Sequence, residues 1–284
     1  RFPVVSAKEL ESWRGHSYQA LCAAVLSKWV PESVIPHATL RALVDAACSR
    51  FAVDEVVRLL PLSGASNPAL GGARGQELHI LELFHGPTMA FKDLGMCLLA
   101  EIMHFFLEQS NCRRTVLVGT SGDSGPAALW ACRGKPRIDV VVLYPLGRVS
   151  RVQEGQMLRA VRSDAATAPH TTTNGYLIGV EGTSDDLDVP CEAVMRDPTF
   201  KAANSLGSVN SVNVVRLLAH TVNFFYAYLR LGALGGEEDE KEEKEEQPFA
   251  ASFDRVSFSI PSGAAGHLCG GVMAKRMGLP IHRL

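Results

Sequence analysis

The chain has 284 residues, 46% of them hydrophobic and 20% charged, with 28 Lys+Arg against 30 Asp+Glu and a net charge of -2. That composition excludes a largely disordered chain, and the length suits one large domain or two smaller ones with a sizeable buried core. Residues 237–246 (EEDEKEEKEE) hold most of the local negative charge; the remainder is mildly basic, which suits a small anionic ligand and is too weak a bias for nucleic acid.

Residues 1–60 read as helical, with apolar residues at helical spacing over Tyr18–Val30 and Leu40–Phe51 and with Pro31, Pro36 and Pro61 as punctuation. A Gly/Pro/Asn/Ser loop over Ser63–Gly75 follows. From there the pattern alternates. Leu78–Leu83 is a short strand, Phe91–Gln109 a long amphipathic helix, and Thr115–Gly119 (TVLVG) a buried strand that leads through a Gly-rich turn into the helix Pro126–Cys132. Asp139–Tyr144 and Tyr176–Val180 are strands, and Val152–Val161, Asp185–Arg196 and Val214–Leu231 are helices. The acidic run sits between a helix and a strand, where insertions are tolerated, and reads as a solvated disordered loop. The strand Val256–Ile260, a second Gly-rich turn and the helix Leu268–Met277 close the pattern. Repeated βα units whose strands are too apolar for a solvent-facing side argue an α/β chain with a mostly parallel sheet covered by helices.

Seven cysteines are present, an odd number without any C-x-x-C pair, and no Cys/His cluster has zinc spacing. Most lie in apolar helical stretches, as reduced core cysteines do, which favours a cytoplasmic location. No apolar run is long enough for a membrane span, and no secretory signal opens the chain. The chain begins at Arg1 in mid-pattern and stops at Leu284 where a strand is due; both ends are expected to be cut.

Three segments carry candidate chemistry. In Phe84–Asp93 (FHGPTMAFKD) a turn follows a strand, and Lys92-Asp93 opens a helix. That is the carboxyl end of a strand, where open α/β sheets bind ligands. A helix start disfavours a cation, and a desolvated site lowers a lysine pKa, so Lys92 is placed for Schiff-base chemistry; the plain alternative is a surface lysine beside a turn. Thr120–Gly125 (TSGDSG) and Pro261–His267 (PSGAAGH) are Gly-rich turns between strand and helix, and helix-start N–H groups bind anions. Neither GxGxxG nor GxxxxGK[ST] is present, and no GxSxG elbow offers a serine nucleophile. Asp185, Asp186 and Asp188 suit helix capping better than metal binding. His85 reads as structural before it reads as an acid or base, and His104, His220, Phe105-Phe106 and Phe224-Phe225 read as core.

On these residues the chain resembles the threonine synthases, in the branch with the yeast and enterobacterial enzymes and the animal threonine synthase-like proteins. LELFHGPTMAFKD is similar to the family's lysine motif and GTSGDSGPAA to its second signature, with Ser124 where Thr is usual. Glu181–Asp188, Asn204–Arg216 and PSGAAGH with AKRMGLPI after it resemble further blocks, in family order along the whole chain. The resemblance implies a tryptophan synthase β-type fold (fold type II), incomplete at the C-terminus, with pyridoxal 5′-phosphate as cofactor. It implies that Lys92 holds the cofactor aldehyde, and that Gly263, Ala264, Ala265, Gly266 and His267 hold its phosphate. Thr88, Ser121, Asp123, Ser124, Asn210, Asn213 and Arg216 would face the substrate, a small phosphorylated amino acid. The implied reaction removes phosphate from O-phosphohomoserine to give threonine or, as a phospho-lyase, 2-oxobutyrate. GAAG in place of the frequent GNFG is similar to the threonine synthase-like 2 group, and His267 stands where Asn or Asp is usual. The regions expected are 1–75, helical with a loop; 76–236, α/β with the lysine and substrate loop; 237–248, the acidic insertion; and 249–284, the start of the phosphate-binding α/β region. No metal, nucleic acid or membrane partner is expected, and the chain would be a monomer or homodimer. Two other readings stay open: a truncated, non-catalytic relative that acts as a binding or signalling protein, and a lyase of the same fold with another amino-acid substrate.

Overall fold

The computed structural model describes residues 1–62, 78–162, 174–209, 213–234, 256–261, 263 and 265–284. The acidic run, Asn210 and Ala264 lie outside the described residues. The chain divides into two compact units, 1–44 with 53–85 and 217–284, and 45–52 with 86–216.

The first unit is mainly helical. Its helices α1 (Ala7–Ser12) and α2 (Tyr18–Ser27) each begin at a serine whose hydroxyl accepts from the backbone three residues on, and Ser6 with Glu9 completes a reciprocal capping box. Most of α3 (His37–Cys48) follows. Residues 58–61 depart from the helical expectation: β1 (Arg58–Pro61) pairs antiparallel with β2 (His79–Glu82), Arg58 opposite Glu82. Pro61 ends the strand, where its missing N–H matters least. The long α9 (Val214–Leu234) enters this unit at Leu217 and centres its core, with Val222, Phe225 and Tyr228 fully buried. Trp13 meets Phe225 and Tyr18 meets Tyr226 in edge-on contacts at 5.8 and 5.5 Å. After β7 (Val256–Ser257) come α10 (Gly266–Arg276) and β8 (Ile281–Arg283), which returns parallel to β7.

The second unit is the α/β part. Its elements are α4 (Lys92–Gln109), β3 (Arg114–Gly119), α5 (Ser124–Cys132), β4 (Ile138–Pro145), α6 (Arg151–Val161), β5 (Gly175–Val180), a single 3-10 turn at Asp185–Leu187, α7 (Asp188–Arg196), α8 (Pro198–Ala203) and β6 (Leu206–Gly207). The four strands form one wholly parallel sheet, ordered β5-β4-β3-β6. On β4, Ile138, Val140 and Val142 are buried while the residues between them are less so, the period of two expected of a strand. The short β6 was not foreseen; two residues are too few for a periodic signal. Phe106, expected in the core, is 38% exposed in the last turn of α4, where its ring meets Phe105 edge-on at 5.2 Å. Among the described residues no helix is long and apolar enough to cross a membrane.

Candidate active site

The carboxyl end of β3 and the start of α4 build the Lys92 site. The turn before α4 is folded around a buried carboxylate. Asp93, 1% exposed, accepts from the backbone N–H of Thr88 at 2.8 Å and from the Thr88 hydroxyl at 2.7 Å. Burial raises the pKa of Asp93 above its ordinary value, and the Thr88 donors oppose that rise. Lys92 is the first residue of α4, and its Nζ lies 3.0 Å from Asp123 Oδ2.

Asp123 stands at the N-cap of α5, yet its carboxylate does not cap that helix. The Thr120 hydroxyl does that work, accepting from the N–H groups of Gly122 and Gly125 at 3.0 Å each. Asp123 is thereby turned outward to Lys92 and to Gln153 Nε2, which donates to Oδ1 at 2.7 Å. Burial pushes the Asp123 carboxyl up, but the Gln153 and Lys92 bonds outweigh it, and the group ends below its ordinary value. Ser121 is exposed and Ser124 half-buried on the same turn.

Arg216 is 2% exposed. Its Nη1 donates to the carbonyl of Val209 at 3.0 Å, and its Nε is buried with no hydrogen-bond partner. Burial lowers its pKa to about 10. Its Cα and Cβ lie against Gly95 of α4, where an added Cβ would come within 3.4 Å. Gly95 is three residues past Lys92, so the two share a face of the helix. Asn213 Oδ1 accepts from Val215 N–H at 3.0 Å and caps the start of α9. Asp186, in the acidic patch, accepts from Thr183 N–H and hydroxyl at 2.7 and 2.8 Å, which lowers its pKa, so its carboxylate serves the turn.

The second Gly-rich turn belongs to the first unit. Ala265 takes a left-handed conformation (φ 53°) as N-cap of α10 and offers no side-chain cap, and Gly263 is exposed with open space where a Cβ would stand. His267, in the first turn of α10, is anchored inward. Tyr18 hydroxyl donates to Asn223 Oδ1 at 2.8 Å, so the Asn223 amide nitrogen is the end that meets His267 Nε2 at 3.3 Å. Burial lowers the His267 pKa to about 4, so near neutral pH it is an uncharged imidazole whose Nε2 accepts. His85 Nε2 lies 2.9 Å from Glu82 Oε2 and is tied to its own strand.

The fold thus brings Lys92, Asp123, Thr88 and the Ser121–Ser124 turn to one end of the sheet, with Arg216 against α4. Gln153, Gln156 and Asn223 went unforeseen. A Ser150-x-x-Gln153 spacing is visible in the sequence, but it signals a helix start rather than a reach to Asp123.

A parallel α/β sheet with a lysine opening a helix at its carboxyl edge is the arrangement of fold type II chains. Threonine synthase from yeast superposes on the whole chain with a TM-score of 0.80 at 32% identity. A pyridoxal 5′-phosphate-bound threonine synthase from Brucella melitensis does so over 99% of it with a TM-score of 0.77 at 34% identity. These cover 50% and 52% of those chains. Residues 1–48 match the family model described as threonine synthase N terminus. Threonine synthase-like 2 of Xenopus laevis is 32% identical over 99% of this chain and 51% of its own length, and threonine synthase of Saccharomyces cerevisiae is 34% identical over 99% and 50%. Along its whole length the chain is similar to threonine synthases and threonine synthase-like proteins. It spans about half the length of the curated relatives it matches.

Proposed function

We propose that this chain carries the reactive lysine and anion sites of a pyridoxal 5′-phosphate-dependent, threonine synthase-like enzyme that removes phosphate from O-phosphohomoserine. The observation that carries the reading is the Lys92–Asp123 pair at the carboxyl edge of the parallel sheet, with the buried and partly unpartnered Arg216 against the same helix. Each unit carries residues of the kind the cofactor takes: in one, Lys92 offers an amine for the aldehyde; in the other, the uncapped start of α10, with open space at Gly263, offers N–H groups of the kind that bind a phosphate. When bound, the cofactor supplies the electron sink that stabilises negative charge at the substrate Cα.

The chain's own residues then divide the work. Lys92 Nζ takes the proton from Cα, and Asp123 Oδ2 at 3.0 Å is placed to exchange protons with that amine. The hydroxyls of Ser121 and Ser124 face the substrate carboxylate. Arg216 provides a charge for the substrate phosphate, and the orphan Nε gains the acceptor that burial denies it. Gly263–His267 hold the cofactor phosphate. Water adding at Cβ yields threonine and phosphate; hydrolytic release yields 2-oxobutyrate, ammonia and phosphate instead.

The test is borohydride trapping of added pyridoxal 5′-phosphate followed by peptide mass spectrometry, with an absorption band expected at roughly 400–430 nm before reduction. The label should sit on Lys92 and vanish in Lys92→Ala. Labelling that ignores Lys92 would sink the assignment. Phosphate and 2-oxobutyrate release from O-phosphohomoserine and from phosphothreonine then separates this substrate from a lyase with another one, and a chain that binds cofactor yet releases neither is the binding protein of the rival reading.

A further inference from the structure

Helix α6 reaches both turns of the Lys92 site through two glutamines. Gln156 Nε2 donates to the carbonyl of Thr88 at 2.9 Å, and Gln153 Nε2 donates to Asp123 Oδ1 at 2.7 Å. Three residues apart, they share one face of the helix. The amide of Gln153 is fixed at both ends. Its Oε1 accepts from Ser150 N–H at 3.0 Å, completing the capping box that starts α6, so its NH2 group is the end left for Asp123. Gly122 has φ 145°, and a Cβ there would run into the Gln153 amide.

A capping box accepts glutamate at this position as readily as glutamine. For α6 alone the two would be interchangeable. For Asp123 they are opposites. A glutamate would cap the helix with one oxygen and present the other to Asp123 Oδ1, and two carboxylates at that distance do not both ionise. The other charged groups around Asp123 are Lys92, bonded to Oδ2, and Asp93, which feels its charge.

We propose that Gln153 is a positioning residue of the Lys92 site: its uncharged amide turns Asp123 so that Oδ2 meets the lysine amine, and an acidic residue cannot replace it. The proposal rests on the reading of Lys92 as the reactive amine. The Asp123 carboxyl carbon is followed by 13C NMR in 13C-aspartate-labelled chain without added ligand, and its signal is assigned by its loss in Asp123→Asn. In Gln153→Glu, which keeps the cap, the titration midpoint of Asp123 should rise by roughly one pH unit or more. In Gln153→Ala it should rise by less. Midpoints that coincide in all three chains overturn the proposal; if Gln153→Glu does not fold, an unchanged midpoint in Gln153→Ala does so alone. Cofactor plays no part in this measurement. A shifted midpoint with no borohydride trapping at Lys92 therefore counts against the lysine reading and leaves the hold of Gln153 on Asp123 standing.

Discussion

The turn that holds Asp123, the partner of Lys92, and the turn that opens α10 look alike in sequence, each a glycine-rich link from strand to helix, yet they are built by opposite means. Around Lys92 the backbone is held by side chains: Asp93 gathers Thr88, Thr120 gathers Gly122 and Gly125, and Gln153 with Lys92 divides the oxygens of Asp123. At α10 no side chain caps the helix, and the turn is set by how closely the following residues pack, with Gly270 pressed against the backbone of His220. The first kind of turn should fail when a polar atom is removed. The second should fail when volume is added.

The largest effect is expected from Asp93→Ala. It leaves the buried Thr88 N–H and hydroxyl without acceptors, and at about 1–3 kcal/mol for each stranded group the loss is about 4 kcal/mol, read as a lowered urea midpoint. A stability unchanged by this substitution would break the contrast at its stronger side. His267 gives the next effect and is the exception at α10, a side chain that matters there. Its folded pKa of about 4 lies below the ordinary 6.5, so the unfolded chain takes up the proton first as pH falls. The contribution is fully present above pH 6.5 and is lost progressively towards pH 4. At 1.36 kcal/mol per unit it amounts to about 3 kcal/mol. Urea unfolding at pH 7 and pH 4.5 should show the loss, and His267→Asn, still able to bond Asn223, should flatten it. Gly270→Ala is next, at about 2 kcal/mol, because the new Cβ would stand 2.9 Å from the His220 backbone, which cannot yield cheaply. Gly263→Ala, with nothing within 4 Å of its Cβ, should change the melting temperature least, by an amount worth less than about 0.5 kcal/mol. Equal costs for the two glycine substitutions would remove packing as the explanation.

Much of this architecture was readable from periodicity. The core strands Arg114–Gly119, Ile138–Pro145 and Gly175–Val180 are apolar enough to announce a covered parallel sheet, and the long helices α4 and α9 announce themselves by spacing. Lys92 at a helix start was visible too, and so was the glycine-rich turn holding Asp123. What pairs with what was not. Asp123 sits where an aspartate normally caps a helix, and only the coordinates show that Thr120 has taken over the cap and released the carboxylate to Lys92. Gln153 shows the same limit from the other direction, since its capping spacing is local while its partner lies 30 residues away. β1 was hidden because four residues ending in proline leave no period to read. Asn213 reads as a ligand contact by motif, and the bond its Oδ1 accepts from the Val215 N–H is a local capping contact that the motif does not reveal.

The closed ring at Thr120 has one further effect. Because a single hydroxyl satisfies two N–H groups from within the loop, the shape presented by residues 121–124 needs no visitor to complete it. The entropy of ordering this segment is lost when the polypeptide folds rather than when a guest arrives, so recognition here is closer to a rigid mould than to a closing hand.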